Sequence, residues 1–223
     1  MTGRPIRILL VDDHAVVREG YRRLIEKQGD LEVVSEASDA TSAYIKYKET
    51  SPDVVVMDIS MPGRGGIDAI RQIRQWDPAA RVLVFSMHAN STYALQAFRA
   101  GAKGYVTKSS PPELLVSAVR SVAENKPALC PEISEILAAS RLAEDAKVLE
   151  QLSPREFEIL RMILDAKSTD EIAVAFHLSS KTVANYHYAI KSKLGVSSDI
   201  DLVYFCMRHG LVVPLGVPGP TIV

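Results

Sequence analysis

Cysteine is scarce in this chain: 223 residues contain Cys130 and Cys206 and no other. The two lie far apart and in no metal-ligand spacing, which excludes a disulfide framework and a zinc site and leaves two buried or half-buried thiols. Long apolar runs are also lacking. Ile6–Val11, behind Met1–Pro5, is too short for a signal peptide, and no stretch approaches the length of a membrane span. A cytoplasmic protein with no membrane partner is expected. Nor is there a surplus of either charge: 26 Lys and Arg face 27 Asp and Glu, a formal net charge of -1. Binding to nucleic acid would therefore have to rest on local charge. The length favours two modest domains over one.

What is present centres on the stretch from Pro52 to Gly63. Four apolar residues, Val54 to Met57, lie between a proline and a Pro-Gly turn, the pattern of a strand buried on both faces. The strand ends in Asp58. In open α/β sheets chemistry gathers outside the carboxyl ends of the strands, so Asp58 is a candidate active carboxylate. The alternative is a polar strand-end residue that caps the next turn.

The rest of the first half alternates in the same way. Strands are predicted over 6–11, 31–37, 54–58, 81–86 and 103–107. Helices follow them, with Val17, Tyr21 and Leu24 on one face of the first, an acidic cap at Asp39, a Gly-rich turn at Gly63, Gly65 and Gly66, a stop at Gly101, and Pro111-Pro112 opening the last. Five strands alternating with five helices are the signature of a doubly wound, five-stranded parallel α/β sheet. Its strand ends carry Asp12-Asp13, Asp58, Ser86 and Lys108, all brought to one edge. Three crowded carboxylates repel unless a cation sits among them, and all-oxygen ligands suit Mg²⁺. A lysine and a hydroxyl opposite would serve anionic oxygens. Such a pocket lets a carboxylate oxygen attack phosphorus while metal and ammonium neutralise the phosphoryl group.

Asp12-Asp13, Asp58 followed by Met61-Pro62-Gly63, Ser86, Tyr105 and Lys108 resemble the receiver domain of two-component response regulators, with a CheY/flavodoxin-like fold, over roughly residues 5–125. The resemblance implies that Asp58 is the phosphoacceptor and that Asp12, Asp13, Asp58 and the backbone carbonyl of Ser60 hold Mg²⁺. It implies that Ser86 and Lys108 contact the phosphoryl oxygens, and that Tyr105 is an aromatic switch whose ring turns inward as Ser86 moves. Tyr105 as an ordinary core residue is the alternative. Ser60 and His88 flank the pocket and are candidates to tune phosphate lifetime through the attacking water.

From Asn125 the alternation stops. A partly helical linker is expected over 128–150, helical from about Glu132 to Glu150, with Ile133, Ile136, Leu137 and Leu142 on one docking face. The receiver domain is thus placed at 1–127. Residues 151–213 read as four helices, and 214–223 as a flexible Pro/Gly-rich tail. Leu152-Ser-Pro-Arg-Glu156, Glu171-Ile-Ala173, Ser179-Ser-Lys-Thr-Val183 and Lys193-Leu-Gly195 resemble a LuxR-type helix-turn-helix. Together the two halves resemble the NarL/FixJ class of response regulators. In the third helix Val183, Tyr186 or His187, Ile190 and Leu194 repeat at inward spacing. Lys181, Thr182, Ala184, Asn185, Tyr188 and Lys191 are then the candidate DNA contacts, lysines to phosphate and Asn185 to adenine. Ala184 and Tyr186 depart from the lysine and histidine common in the family.

The function expected is a DNA-binding transcriptional regulator switched by Mg²⁺-assisted phosphotransfer from a sensor histidine kinase or phosphotransfer protein to Asp58. It is expected to bind a double-stranded operator as a homodimer when phosphorylated, with RNA polymerase a further candidate partner, and not to be an enzyme beyond slow self-dephosphorylation. One rival is a receiver that works without phosphorylation. The other is a Mg²⁺-dependent phosphohydrolase acting through a phospho-aspartate; that class expects an acid two residues after the nucleophile, where this chain has Ser60.

Overall fold

The computed structural model describes residues 4–140, 146–149 and 151–212. The chain divides into two compact units, Met1–Leu142 and Ala143–Val223. In the first, the order is β1 (Ile6–Val11), α1 (Ala15–Glu26), β2 (Leu31–Ala37), α2 (Ala40–Thr50), β3 (Val54–Met57), α3 (Gly65–Trp76), β4 (Val82–Ser86), α4 (Ser91–Ala100), β5 (Gly104–Thr107), α5 (Pro112–Ala123), β6 (Ala128–Leu129) and α6 (Pro131–Ser140). The sheet runs β2-β1-β3-β4-β5-β6 and every pairing is parallel. Val54 to Met57 are at most 1% exposed, as expected of a central strand covered by helices on both faces.

The helices begin and stop where their end residues dictate. Asp39 accepts from the Thr41 and Ser42 amides to open α2, and Asn90 accepts from Thr92 to open α4. Gly101, at φ +109°, closes α4 in a conformation that a residue with a Cβ adopts only under strain.

The sheet has six strands, not five. Ala128 and Leu129, placed by sequence reasoning at the start of a linker, pair with Gly104 and Tyr105. The Ala128 and Cys130 amides donate to the Lys103 and Tyr105 carbonyls, so the open edge of β5 is covered by the chain itself. The linker helix predicted over 132–150 is seen as α6, followed by the short α7 (Ala146–Leu149). Residues 141–145, and with them Leu142, lie outside the described residues. Ile133 on α6 is fully buried, while Ile136 and Leu137 are half-buried.

The second unit is α7, α8 (Pro154–Leu164), α9 (Thr169–Phe176), α10 (Ser180–Leu194) and α11 (Asp199–Arg208). Three of these helices open on reciprocal capping boxes: Ser153 with Glu156, Ser168 with Glu171, and Ser198 with Asp201. Val183, Ile190 and Leu194 on one side of α10 pack with Leu160, Ile172 and Leu202 in a single apolar cluster. The Pro/Gly-rich tail lies outside the described residues.

Candidate phosphoacceptor pocket and DNA-facing helix

The parallel strands deliver their carboxyl ends to one edge, and the predicted residues meet there. Asp12 follows β1, Asp58 follows β3, Ser86 closes β4, and Lys108 follows β5. Asp12 is 3% exposed and Asp58 2%, so two carboxylates are taken almost wholly out of water. The Lys108 ammonium lies 2.7 Å from Asp12 Oδ2 and 2.6 Å from Asp58 Oδ2. Burial works against that ammonium, but hydrogen bonds and charge from the two carboxylates more than offset it. Its pKa is therefore held above the ordinary lysine value.

The other Asp58 oxygen, Oδ1, accepts from the Ser60 amide at 2.9 Å. Ser60 Oγ lies 3.3 Å from Ser86 Oγ, and the Ser86 hydroxyl oxygen accepts from the His88 amide at 3.3 Å. The His88 carbonyl in turn accepts from the Tyr105 hydroxyl at 2.8 Å. Ser86 and Tyr105 are thus joined through the backbone of His88. The Tyr105 ring is wholly buried, and burial raises its phenol well above the ordinary tyrosine value. The His88 ring stacks on Tyr93 of α4 with centroids 4.0 Å apart.

Asp13 is half-buried; its Oδ1 is a buried acceptor with no hydrogen bond, and the nearest ring nitrogen is His14 Nδ1 at 2.9 Å. Ligand atoms of Asp12, Asp13 and His14 lie within 4.8 Å of one another. An orphaned carboxylate oxygen beside a second carboxylate fits a hard divalent cation. His14 was not singled out from the sequence; in the structure it is the N-cap residue of α1, with no side-chain cap bond.

Gly66 is a further residue whose role sequence alone did not isolate. A Cβ there would stand 2.1 Å from the Asp58 carbonyl oxygen and 2.6 Å from Ile59 Cα. A glycine lets the first turn of α3 press against the backbone that carries Asp58.

In the second unit the exposed face of α10 carries Lys181, Ala184, Asn185 and Tyr188, the last 74% exposed. Thr182 is half-buried, and its amide donates to the Ser179 cap. Lys191 differs from expectation: it is half-buried and donates to Asp199 of α11 at 2.9 Å. That contact holds Asp199 below the usual carboxylate range. Tyr186 packs against the cluster, and His187 Nε2 stands 3.0 Å from the same Asp199 oxygen. Lys193 is bound to Glu156 of α8 at 2.7 and 2.8 Å. No helix among the described residues is long and apolar enough to cross a membrane.

Comparison with known proteins agrees with this geometry. The response regulator receiver domain family matches residues 8–120, and the luxR family of bacterial regulatory proteins matches residues 150–206. Response regulator UvrY of Escherichia coli (strain K12) is 36% identical over 208 residues, 92% of this chain and 95% of UvrY. Response regulator GacA of Pseudomonas viridiflava is 35% identical over 209 residues, 93% of this chain and 98% of GacA. Among solved structures, a two-component response regulator of the LuxR family from Aurantimonas sp. SI85-9A1 is 55% identical with a TM-score of 0.61, covering 62% of this chain and 99% of that one. RcsB of Salmonella enterica serovar Typhimurium, bound to promoter P1flhDC in the presence of the phosphomimetic BeF3-, is 26% identical with a TM-score of 0.72, covering 92% and 100%. The chain therefore belongs to the two-component response regulators of the NarL/FixJ class, DNA-binding regulators and not enzymes, in which a receiver domain is joined to a LuxR-type helix-turn-helix.

Proposed function

We propose that Asp58 accepts a phosphoryl group from a sensor histidine kinase or phosphotransfer protein, and that this controls binding of α10 to an operator. The observation that carries the reading is the Lys108 ammonium set within 2.7 Å of two buried carboxylates, one of them Asp58. A cation so placed neutralises Asp58 before transfer and is within reach of the phosphoryl oxygens after it. In the transfer, an Asp58 carboxylate oxygen forms the new O–P bond as the N–P bond of the donor phosphohistidine breaks. The imidazole keeps the electron pair and takes a proton from solvent. Ser86 donates its hydroxyl to a phosphoryl oxygen, and Tyr105 follows through the His88 backbone that both contact.

Asp12, Asp13, Asp58 and the Ser60 carbonyl would hold Mg²⁺, with His14 at the rim. Bound there, the cation supplies charge neutralisation for the incoming phosphoryl group. In the DNA-binding unit, Lys181 and, once released from Asp199, Lys191 would contact phosphates. Asn185 would read a base edge, with Ala184 and Tyr188 offering apolar contact to a thymine methyl and Thr182 a hydroxyl. RcsB, a relative, has been seen as dimers on DNA, and two half-sites read by a homodimer suit a unit without a basic excess.

The reading is tested by incubating the full chain with acetyl phosphate and Mg²⁺ and measuring intact mass. Wild type is expected to gain one phosphoryl group and Asp58→Asn none. Turnover of aryl phosphates in place of stoichiometric labelling would instead support a phosphohydrolase.

A further inference from the structure

The segment just beyond the receiver match carries an acid that reaches back to the pocket. Glu132, in the first turn of α6, accepts from the Thr107 hydroxyl at 2.9 Å and from Ser109 Oγ at 3.4 Å. Those are the two neighbours of Lys108. Thr107 is wholly buried, and its Oγ1 also lies 2.9 Å from Ser110 Oγ, 3.0 Å from Ser109 Oγ and 3.9 Å from Cys130 Sγ. Five side chains, from β5, its following loop, the residue between β6 and α6, and the first turn of α6, therefore share one hydrogen-bonded knot, with a carboxylate among them. Bonds to an ionised acceptor are the stronger kind.

The same segment holds the other switch residue. Leu129 pairs with Tyr105, and the Cys130 amide donates to the Tyr105 carbonyl at 3.1 Å. Residues 128–132 are thus fastened both to Tyr105 and to the flanks of Lys108, and Ile133 buries the first turn of α6 beside them. Nothing in the receiver match, which ends at residue 120, requires this attachment.

We propose that Glu132 is a positioning residue for Lys108: by holding Thr107 and Ser109 it makes occupancy of the phosphoacceptor pocket and docking of α6 a single equilibrium. The inference rests on the proposed phosphorylation of Asp58. When Lys108 turns from Asp12 and Asp58 to a phosphoryl oxygen, the loop that carries it shifts, the Thr107 and Ser109 hydroxyls leave Glu132, and α6 loosens. Since α6 precedes the DNA-binding unit in the chain, its release accompanies filling of the pocket. Linkage requires the reverse as well: if loading opposes the latch, removing the latch must tighten loading by the same factor.

The experiment is hydrogen exchange on the full chain, with and without BeF3- and Mg²⁺, alongside the affinity for BeF3-. In wild type the mimic is expected to speed exchange of amides 132–140 by about 5-fold or more. In Glu132→Ala those amides should exchange fast without the mimic and respond no further, and BeF3- should bind more tightly by a similar factor. Thr107→Val, which removes the hydroxyl at nearly constant volume, should behave likewise, and Glu132→Asp should restore part of the wild-type response. Unchanged exchange in β1 and β3 would show that the variants remain folded. If wild type binds the mimic while residues 132–140 stay unmoved, or if both Glu132→Ala and Thr107→Val respond as wild type does, the latch is refuted and Asp58 phosphorylation stands. If wild type fails to bind the mimic, or Asp58→Ala binds it equally well, the phosphorylation reading falls and the latch with it.

Discussion

Lys108 Nζ stands 2.6 Å from Asp58 Oδ2, with both side chains at most 7% exposed. A pair buried this deeply is weak evidence of net stabilisation, but removing one partner strands the other, here together with Asp12. Lys108→Met is therefore expected to destabilise the first unit by about 3–5 kcal/mol in the absence of divalent cation. Trp76, the only tryptophan in the chain, lies in that unit, so urea unfolding followed by its fluorescence reads the loss directly. Adding Mg²⁺ should recover more stability in the variant than in wild type, because the cation replaces the missing positive charge.

Gly66→Ala should damage the pocket from outside it. The new Cβ would meet backbone, the Asp58 carbonyl oxygen at 2.1 Å, and backbone cannot swing aside as a side chain does. The expected cost is about 1–3 kcal/mol from overpacking, with phosphoryl uptake from acetyl phosphate falling more steeply than stability. Uptake at the wild-type rate would show that the Asp58 segment accommodates the methyl group.

Lys191, proposed to contact a DNA phosphate, is held by Asp199 at 2.9 Å, so on that proposal the acid competes with DNA for it. Releasing the lysine by Asp199→Asn should steepen the salt dependence of DNA binding by roughly 0.9, the slope of one added phosphate contact. The same substitution in a Lys191→Ala background should leave the slope where Lys191→Ala alone puts it. Titrations at several salt concentrations measure both.

The second unit should lose stability in acid through Glu156. Burial pushes that carboxyl up, but bonds from Lys193 and from the Ser153 amide and hydroxyl more than offset this, and its pKa lies below the ordinary 4.5. A lowered pKa means stability present above pH 4.5 and lost as pH falls through the folded value. Glu156→Gln should cost roughly 1–2 kcal/mol at neutral pH, the modest figure reflecting a partly exposed Lys193, and should flatten this acid dependence. Far-ultraviolet circular dichroism should register the change while Trp76 fluorescence does not.

The legible parts of this protein were those written in local pattern. An all-apolar Val54–Met57 names a central strand, Asp39, Ser153 and Ser168 announce helix starts, and strand-end positions of parallel strands share an edge by topology alone. That put Lys108 on one edge with Asp12 and Asp58 across nearly a hundred residues, but its direct bonds to the two carboxylates were not among the expectations, which gave it phosphoryl oxygens as partners. Strand β6 was not foreseeable, since two residues after Pro127 carry no periodicity and form a strand only because β5 offers an open edge. Likewise Lys191 read as a free cation because its partner lies on another helix, whose approach depends on how α10 and α11 pack. The Gly66 contact is a matter of distance to backbone, invisible in any side-chain pattern.

The most direct measurement is DNA affinity of the full chain, on a duplex selected from a randomised library, with and without BeF3- and Mg²⁺, for wild type and Asp58→Asn. The account predicts that the mimic tightens binding by wild type and leaves Asp58→Asn unchanged. Affinity that ignores the mimic in wild type, or that rises equally in both proteins, would contradict it.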